Sequence, residues 1–121
     1  MQQQDDVRFF HRKFGHAAPD RPSAPDAALA ASRQRLLREE VRELCEALDS
    51  GDLGAILAEV IDVLYVTLGT AVACGLDVTR AWEKIHFANM SKTPNPEPGG
   101  KPLKSERWVK PDLHRLVEEQ R

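Results

Sequence analysis

The chain is 121 residues long, 41% hydrophobic and 30% charged, with a net charge of −2. That is one domain's worth of ordinary globular composition, and the near-neutral charge excludes a strong electrostatic footprint for nucleic acid. Aromatic residues make up only 6%, and the abundance of Ala, Leu, Glu and Arg favours helices over sheet.

The first predicted helix covers about residues 4–14, with Val7, Phe10 and Phe14 at helical spacing and Gly15 ending it. Residues 16–25 hold three of the eight prolines and read as a loop. Asp26 is placed to cap a long second helix over about residues 27–48, whose apolar positions are Leu29, Leu36, Leu37, Val41, Leu44 and Leu48. Residues 49–52 read as a turn, with Gly51 at the C-cap and Asp52 capping the next helix. The third helix runs over about residues 53–74 and stops at Gly75. A fourth begins near residues 77–79 and continues to about Met90, carrying Ala81, Trp82, Ile85 and Phe87. Residues 94–111 contain five prolines and the Gly99–Gly100 pair, a density of breakers through which no helix can run. A short last helix is expected over residues 113–119. No strand pattern and no internal repeat is visible.

These elements predict a single all-α domain over residues 1–121. It comprises a helical bundle over 4–92, a Pro- and Lys-rich tail over 93–112 and the terminal helix. Four main helices with short connections suggest an antiparallel four-helix-type bundle. The third helix is apolar nearly all round, and such a helix needs partners on every side, so a homo-oligomer is expected, most simply a dimer. Cys45 and Cys74 form no CxxC pair and are read as small core hydrophobes in a reducing cytoplasm. The opening MQQQDDVRFF lacks the pattern of a signal peptide. The longest uncharged run, residues 63–76, falls short of the roughly 18–20 residues that span a bilayer.

The chemistry lies in the carboxylates. Glu59 and Asp62 are the only charges between Leu53 and Leu76. At i, i+3 they share a helix face, and buried carboxylates must be paired or bound to metal. Arg35, Arg38 and Arg42 on the second helix could pair with them; a bound cation could do so equally. Glu39, Glu40 and Glu43 fall within about a 100° arc of the second helix, with Glu46 close by. Taken alone, that stripe is an ordinary solvated face. The turn at residues 49–52, however, makes the two helices antiparallel neighbours. Glu43 and Glu59 then lie nearly level, both roughly 9–10 Å from the turn, and Glu39 and Glu40 lie level with Asp62. Four or five carboxylates can converge, and an all-oxygen donor set selects Mg²⁺ or Mn²⁺ over zinc.

Glu39-Glu40-Val41-Arg42-Glu43 followed by Glu59-Val60-Ile61-Asp62 resembles the EExxE…ExxD signature of the all-α NTP pyrophosphatase superfamily. That superfamily includes MazG-like proteins, phosphoribosyl-ATP pyrophosphohydrolases and dimeric dUTPases. Ala88-Asn89-Met90-Ser91-Lys92 is similar to an ANMSK stretch in some members, and the segment Gly100 to Lys104 with Trp108 and residues 111–113 is similar to the tail that follows it. The resemblance implies a helical bundle that dimerises, sometimes as a dimer of dimers. It also implies hydrolysis of a nucleoside triphosphate between its α and β phosphates. By motif position, Glu40, Glu43, Glu59 and Asp62 would ligate Mg²⁺, for which Mn²⁺ may substitute. Glu39 and Glu40 would serve catalysis, Glu39 by binding another metal or helping to activate water. Asn89, Lys92, Lys104 and Trp108 would contact substrate, with Lys101 and Arg107 on the same segment. Phe10, His11 and Phe14 could line a base pocket, although core packing is the default for both phenylalanines.

On substrate, this reading puts a free nucleotide first, dUTP or another non-standard NTP in a housecleaning role, and phosphoribosyl-ATP second. Two further readings compete. Glu83 and His86 form one ExxH pair, whereas di-iron carboxylate bundles use two. A non-catalytic helical interaction module would carry the glutamates only for solubility.

Overall fold

The computed structural model describes all residues, 1–121. The protein is all-α: α1 (Gln2–Lys13), α2 (Ala27–Ser50), α3 (Leu53–Ala73), α4 (Thr79–Met90) and α5 (Leu113–Gln120), with no strands. Two compact units divide the chain, Met1–Leu76 and Asp77–Arg121.

In the first unit, α1 and α2 both pack against α3. The boundaries are set by local chemistry. Asp26 accepts a hydrogen bond from the Leu29 amide at 2.8 Å and so caps α2. Gly51 closes that helix in the left-handed conformation, φ 70°, which only glycine adopts without cost. Asp52 then caps α3 through the amides of Gly54 and Ala55. The connection is so short that α2 and α3 must run antiparallel.

α1 also runs against α3. Gln4 donates to the Leu76 carbonyl at 2.6 Å, and further along the helix the Phe10 ring meets Tyr65 edge-on with centroids 5.4 Å apart. Gln4, Val7 and His11 form the buried face of α1, at the i, i+3, i+7 spacing of a helix stripe. They face the part of α3 where Leu68, Gly69, Val72 and Ala73 are buried.

Several expected core positions are not covered. Val41 and Leu48 of α2 are exposed, as are Phe10 of α1 and Phe14 at its C-cap, whose rings meet at a tilt with centroids 4.6 Å apart. Cys45 is exposed and Cys74 only half-buried, so the expectation that both are core residues fails for Cys45. It follows Leu44 by one position, which rotates it about 100° away from the packed face.

α3 is 21 residues long and apolar enough, by length and composition, to cross a membrane. It carries Glu59 and Asp62, and only 17% of its most apolar window is buried within the chain.

In the second unit α4 packs against α5, with Ala88 and Leu116 buried. Trp82 and Phe87, expected as apolar positions of α4, are 64% and 78% exposed. The Pro-rich segment between the helices folds back on itself. Thr93 and Leu103 form an antiparallel bridge with both hydrogen bonds at 2.8 Å. Asn95 donates to the Lys101 carbonyl, and the Ser105 hydroxyl donates to the Ser91 carbonyl.

Candidate functional site

The α2–α3 hairpin brings three carboxylates together in the first unit. One oxygen each from Glu40, Glu43 and Glu59 lies within 4.8 Å of the others. All three residues are half-buried. Glu40 Oε2 and Glu59 Oε2 are shielded from solvent and have no hydrogen-bond partner. Asp62 is exposed and lies one helical turn along α3 from Glu59; it lines a cavity together with Glu40.

The electrostatics follow from the crowding. Partial burial raises the Glu40 carboxyl above its ordinary range, reinforced by the close approach of Glu43 and the charges of Asp62 and Glu59. Glu59 is raised by partial burial and then by Glu43 and Asp62. The arginines that could have neutralised the cluster do not. Arg42 pairs with Glu46 at 3.9 Å and Arg38 donates to Gln34. Arg35, Arg38 and Arg42 line a separate recess, and Glu39 is with them. Glu39, expected beside Glu40 at the site, therefore lies apart and exposed. Successive helix residues point about 100° apart, so only one of the Glu39–Glu40 pair can face α3.

Two buried carboxylate oxygens with no partner, in an all-oxygen cluster, fit a hard divalent cation. Glu40, Glu43 and Glu59, with Asp62 adjoining, are the residues that would hold it. The cluster contains no histidine, and the single ExxH pair, Glu83 and His86, belongs to the second unit.

The cavity beside the carboxylates measures about 310 Å³ and is lined by Phe10, His11, His16, Arg33, Leu36, Glu40, Asp62, Tyr65 and Val66. Its size is at the lower end of small-ligand pockets. Sequence reasoning named Phe10 and His11 but missed Arg33, His16 and Tyr65. A signal existed: Arg33 precedes Glu40 by seven residues and Tyr65 follows Asp62 by three, so each shares a helix face with a carboxylate. Phe14, the third aromatic residue expected there, does not line the cavity.

Asn89, Lys92, Lys104 and Trp108 all belong to the second unit. Lys92 and Lys104 line one recess with Arg107. Lys104 Nζ sits 4.3 Å from the Trp108 ring centroid, a cation–π contact, and Trp108 Nε1 is buried without a partner. Asn89 is exposed in the last turn of α4.

No curated protein matches the chain. The sequence pattern of the family described as phosphoribosyl-ATP pyrophosphohydrolase matches residues 7–89, which contain every carboxylate of the cluster, the second half of α1, all of α2 and α3 and nearly all of α4. The chain belongs to that family, within the MazG-like all-α NTP pyrophosphatase superfamily, and is a pyrophosphohydrolase acting on phosphoric anhydrides.

Proposed function

We propose that the protein hydrolyses phosphoribosyl-ATP between its α and β phosphates, giving phosphoribosyl-AMP and pyrophosphate, with Mg²⁺ held by Glu40, Glu43, Glu59 and Asp62. The observation that carries the metal dependence is the pair of buried, partnerless oxygens on Glu40 and Glu59. A triphosphate cannot approach such a cluster unaided, because like charges repel. When bound, a divalent ion, Mg²⁺ or Mn²⁺, supplies the positive charge that polarises the phosphate oxygens. The chain's own part is to hold three carboxylates together with Asp62 adjoining, and to offer an aromatic wall, Phe10 and Tyr65, against which a purine can stack. Of the two glutamates expected to serve catalysis, Glu40 is the one that shares the cluster. Lys92, Lys104, Asn89 and Trp108 are proposed as substrate contacts on the sequence resemblance alone.

The family match moves phosphoribosyl-ATP ahead of a free nucleotide as substrate. A free NTP or dNTP, dUTP included, is the second reading, favoured by the wider superfamily. The protein is further proposed to be a cytoplasmic homodimer: the two carboxylates of α3, Glu59 and Asp62, would be costly inside a bilayer, and a second copy can cover the apolar face that one chain leaves open.

Pyrophosphate release from phosphoribosyl-ATP, ATP and dUTP, with Mg²⁺ and with Mn²⁺, tests this. Metal-dependent release by the wild type that is lost in Glu59→Gln and Asp62→Asn supports the reading, and the preferred nucleotide decides the substrate. No release from any nucleotide by folded, metal-loaded protein overturns it. So would a melting temperature indifferent to millimolar Mg²⁺ and Mn²⁺, which is what a non-catalytic helical module would show.

A further inference from the structure

The cavity is lined by charges of both signs, the carboxylates Glu40 and Asp62 and the guanidinium of Arg33. Arg33 Nη2 donates to the Val66 carbonyl at 2.7 Å and Nε donates to Thr70 Oγ1 at 3.2 Å. Both acceptors are neutral, no carboxylate pairs with the guanidinium, and the side chain is partly buried. An arginine held by neutral acceptors and facing a cavity still has N–H donors to offer.

The backbone is shaped around it. A Cβ on Gly69 would lie 2.7 Å from Arg33 Nη2 and 2.8 Å from His11 Nε2, so glycine there is what admits both side chains. His11 is locked by its Nδ1 contact with the Ala17 carbonyl at 2.8 Å. That bond needs the proton on Nδ1 and leaves Nε2 as an acceptor. Burial and the Arg33 charge lower the His11 pKa, so the ring does not compete as a second cation.

Arg33 and Glu40 are seven residues apart on one helix face, or about 10 Å along α2. Along α3, Tyr65 follows Asp62 and precedes the Arg33 acceptors Val66 and Thr70, and the Phe10 ring meets it edge-on. This order is carboxylates, aromatic wall, then arginine. It matches a ligand with a triphosphate at one end, a purine in the middle and a second phosphate beyond the purine. A plain nucleoside triphosphate has nothing anionic to place at Arg33. Phosphoribosyl-ATP has the 5′-phosphate of its second ribose.

We propose that Arg33 binds the phosphomonoester at the far end of the substrate from the triphosphate, and that this contact selects phosphoribosyl-ATP over ATP. The inference rests on the substrate named above and on no metal. A planar guanidinium grips a phosphate through parallel N–H bonds that an ammonium cannot reproduce.

The test is equilibrium binding, by calorimetry in EDTA, of phosphoribosyl-AMP and of AMP. The proteins compared are the wild type, Arg33→Lys and Arg33→Gln, each checked for helix content. Wild type should bind phosphoribosyl-AMP more tightly than AMP. Both variants should lose about tenfold or more of the phosphoribosyl-AMP affinity, the scale of one charge-assisted contact, with AMP binding unchanged. If Arg33→Gln fails to fold, Arg33→Lys decides the matter, since it keeps the charge and loses the fork. The proposal is overturned if wild type binds the two ligands equally. It is also overturned if a folded variant keeps full phosphoribosyl-AMP affinity, or if AMP binding falls by the same factor. Because nothing is hydrolysed in this experiment, its failure is distinct from an absence of pyrophosphate release.

Discussion

At the scale of single residues, the site is a set of like charges held together by the fold. The Glu59 carboxyl is raised above its ordinary value of 4.5, by burial first and then by Glu43 and Asp62. A raised acid is most at ease protonated. Its contribution to stability is complete below the ordinary value and is lost as pH climbs through the raised one. His11 acts with the opposite sign. Its pKa is lowered from 6.5, so its contribution is present above that value and lost as pH falls below it. Glu59→Gln separates the two. In metal-free buffer the variant should melt above the wild type at about pH 7.5, with the difference closing towards pH 4.5. The rise in melting temperature that Mg²⁺ gives the wild type should shrink or vanish in the variant. Identical metal-free melting curves across that range would remove the argument. The carboxylates themselves were legible in the sequence, because Glu40, Glu43 and Glu59 sit at fixed spacings about a turn that could also be read. Glu39 was not separable from Glu40 without knowing how α2 is rotated. Arg33 was passed over for Arg35, Arg38 and Arg42, since a polar pattern does not say which of several arginines faces inward.

At the scale of the element, the two-residue link between α2 and α3 sets the site. Gly51 and Asp52 determine how far each carboxylate lies from the turn, and hence that Glu43 meets Glu59. Asp52→Ala removes the oxygen that accepts from the Gly54 and Ala55 amides. The loss of such a cap costs about 1 kcal/mol, readable as a lower urea midpoint at unchanged slope. A variant as stable as the wild type would show that the cap is not what holds the turn. The caps were legible because each is a local hydrogen bond between residues close in sequence. All five helices were expected, and their ends lie within about two residues of expectation, where fraying makes assignment loose. The bridge between Thr93 and Leu103 was not legible. It pairs two single residues across a Pro-rich loop, and one pair has no period to detect.

At the scale of the whole molecule, the first unit buries little. Its buried apolar residues are Val7, Ala47, Leu68, Val72 and Ala73, and of these only Val7 and Val72 are fully enclosed. Leu53 and Leu57 at the start of α3 are 80% and 65% exposed, and Val60, Ile61 and Leu64 are exposed with them. In the proposed homodimer this apolar face would lie against a second copy of the chain, with no further component needed. Sedimentation should give twice the chain mass, and Leu57→Glu should give monomer with a lower melting temperature. A monomeric wild type at micromolar concentration would exclude the dimer. The α2–α3 hairpin has one more consequence, for the path by which the protein folds. Glu40, Glu43 and Glu59 belong to helices joined by a tight link, so their meeting requires only a short loop closure. Short-range closures are fast, and distant contacts follow more slowly. The acidic groups are therefore pressed together early, before the remainder of the chain is in place to hold them. A divalent cation that relieves this crowding should act on the ascent to the folded state, quickening refolding as well as delaying unfolding; stopped-flow refolding with and without Mg²⁺ measures that difference.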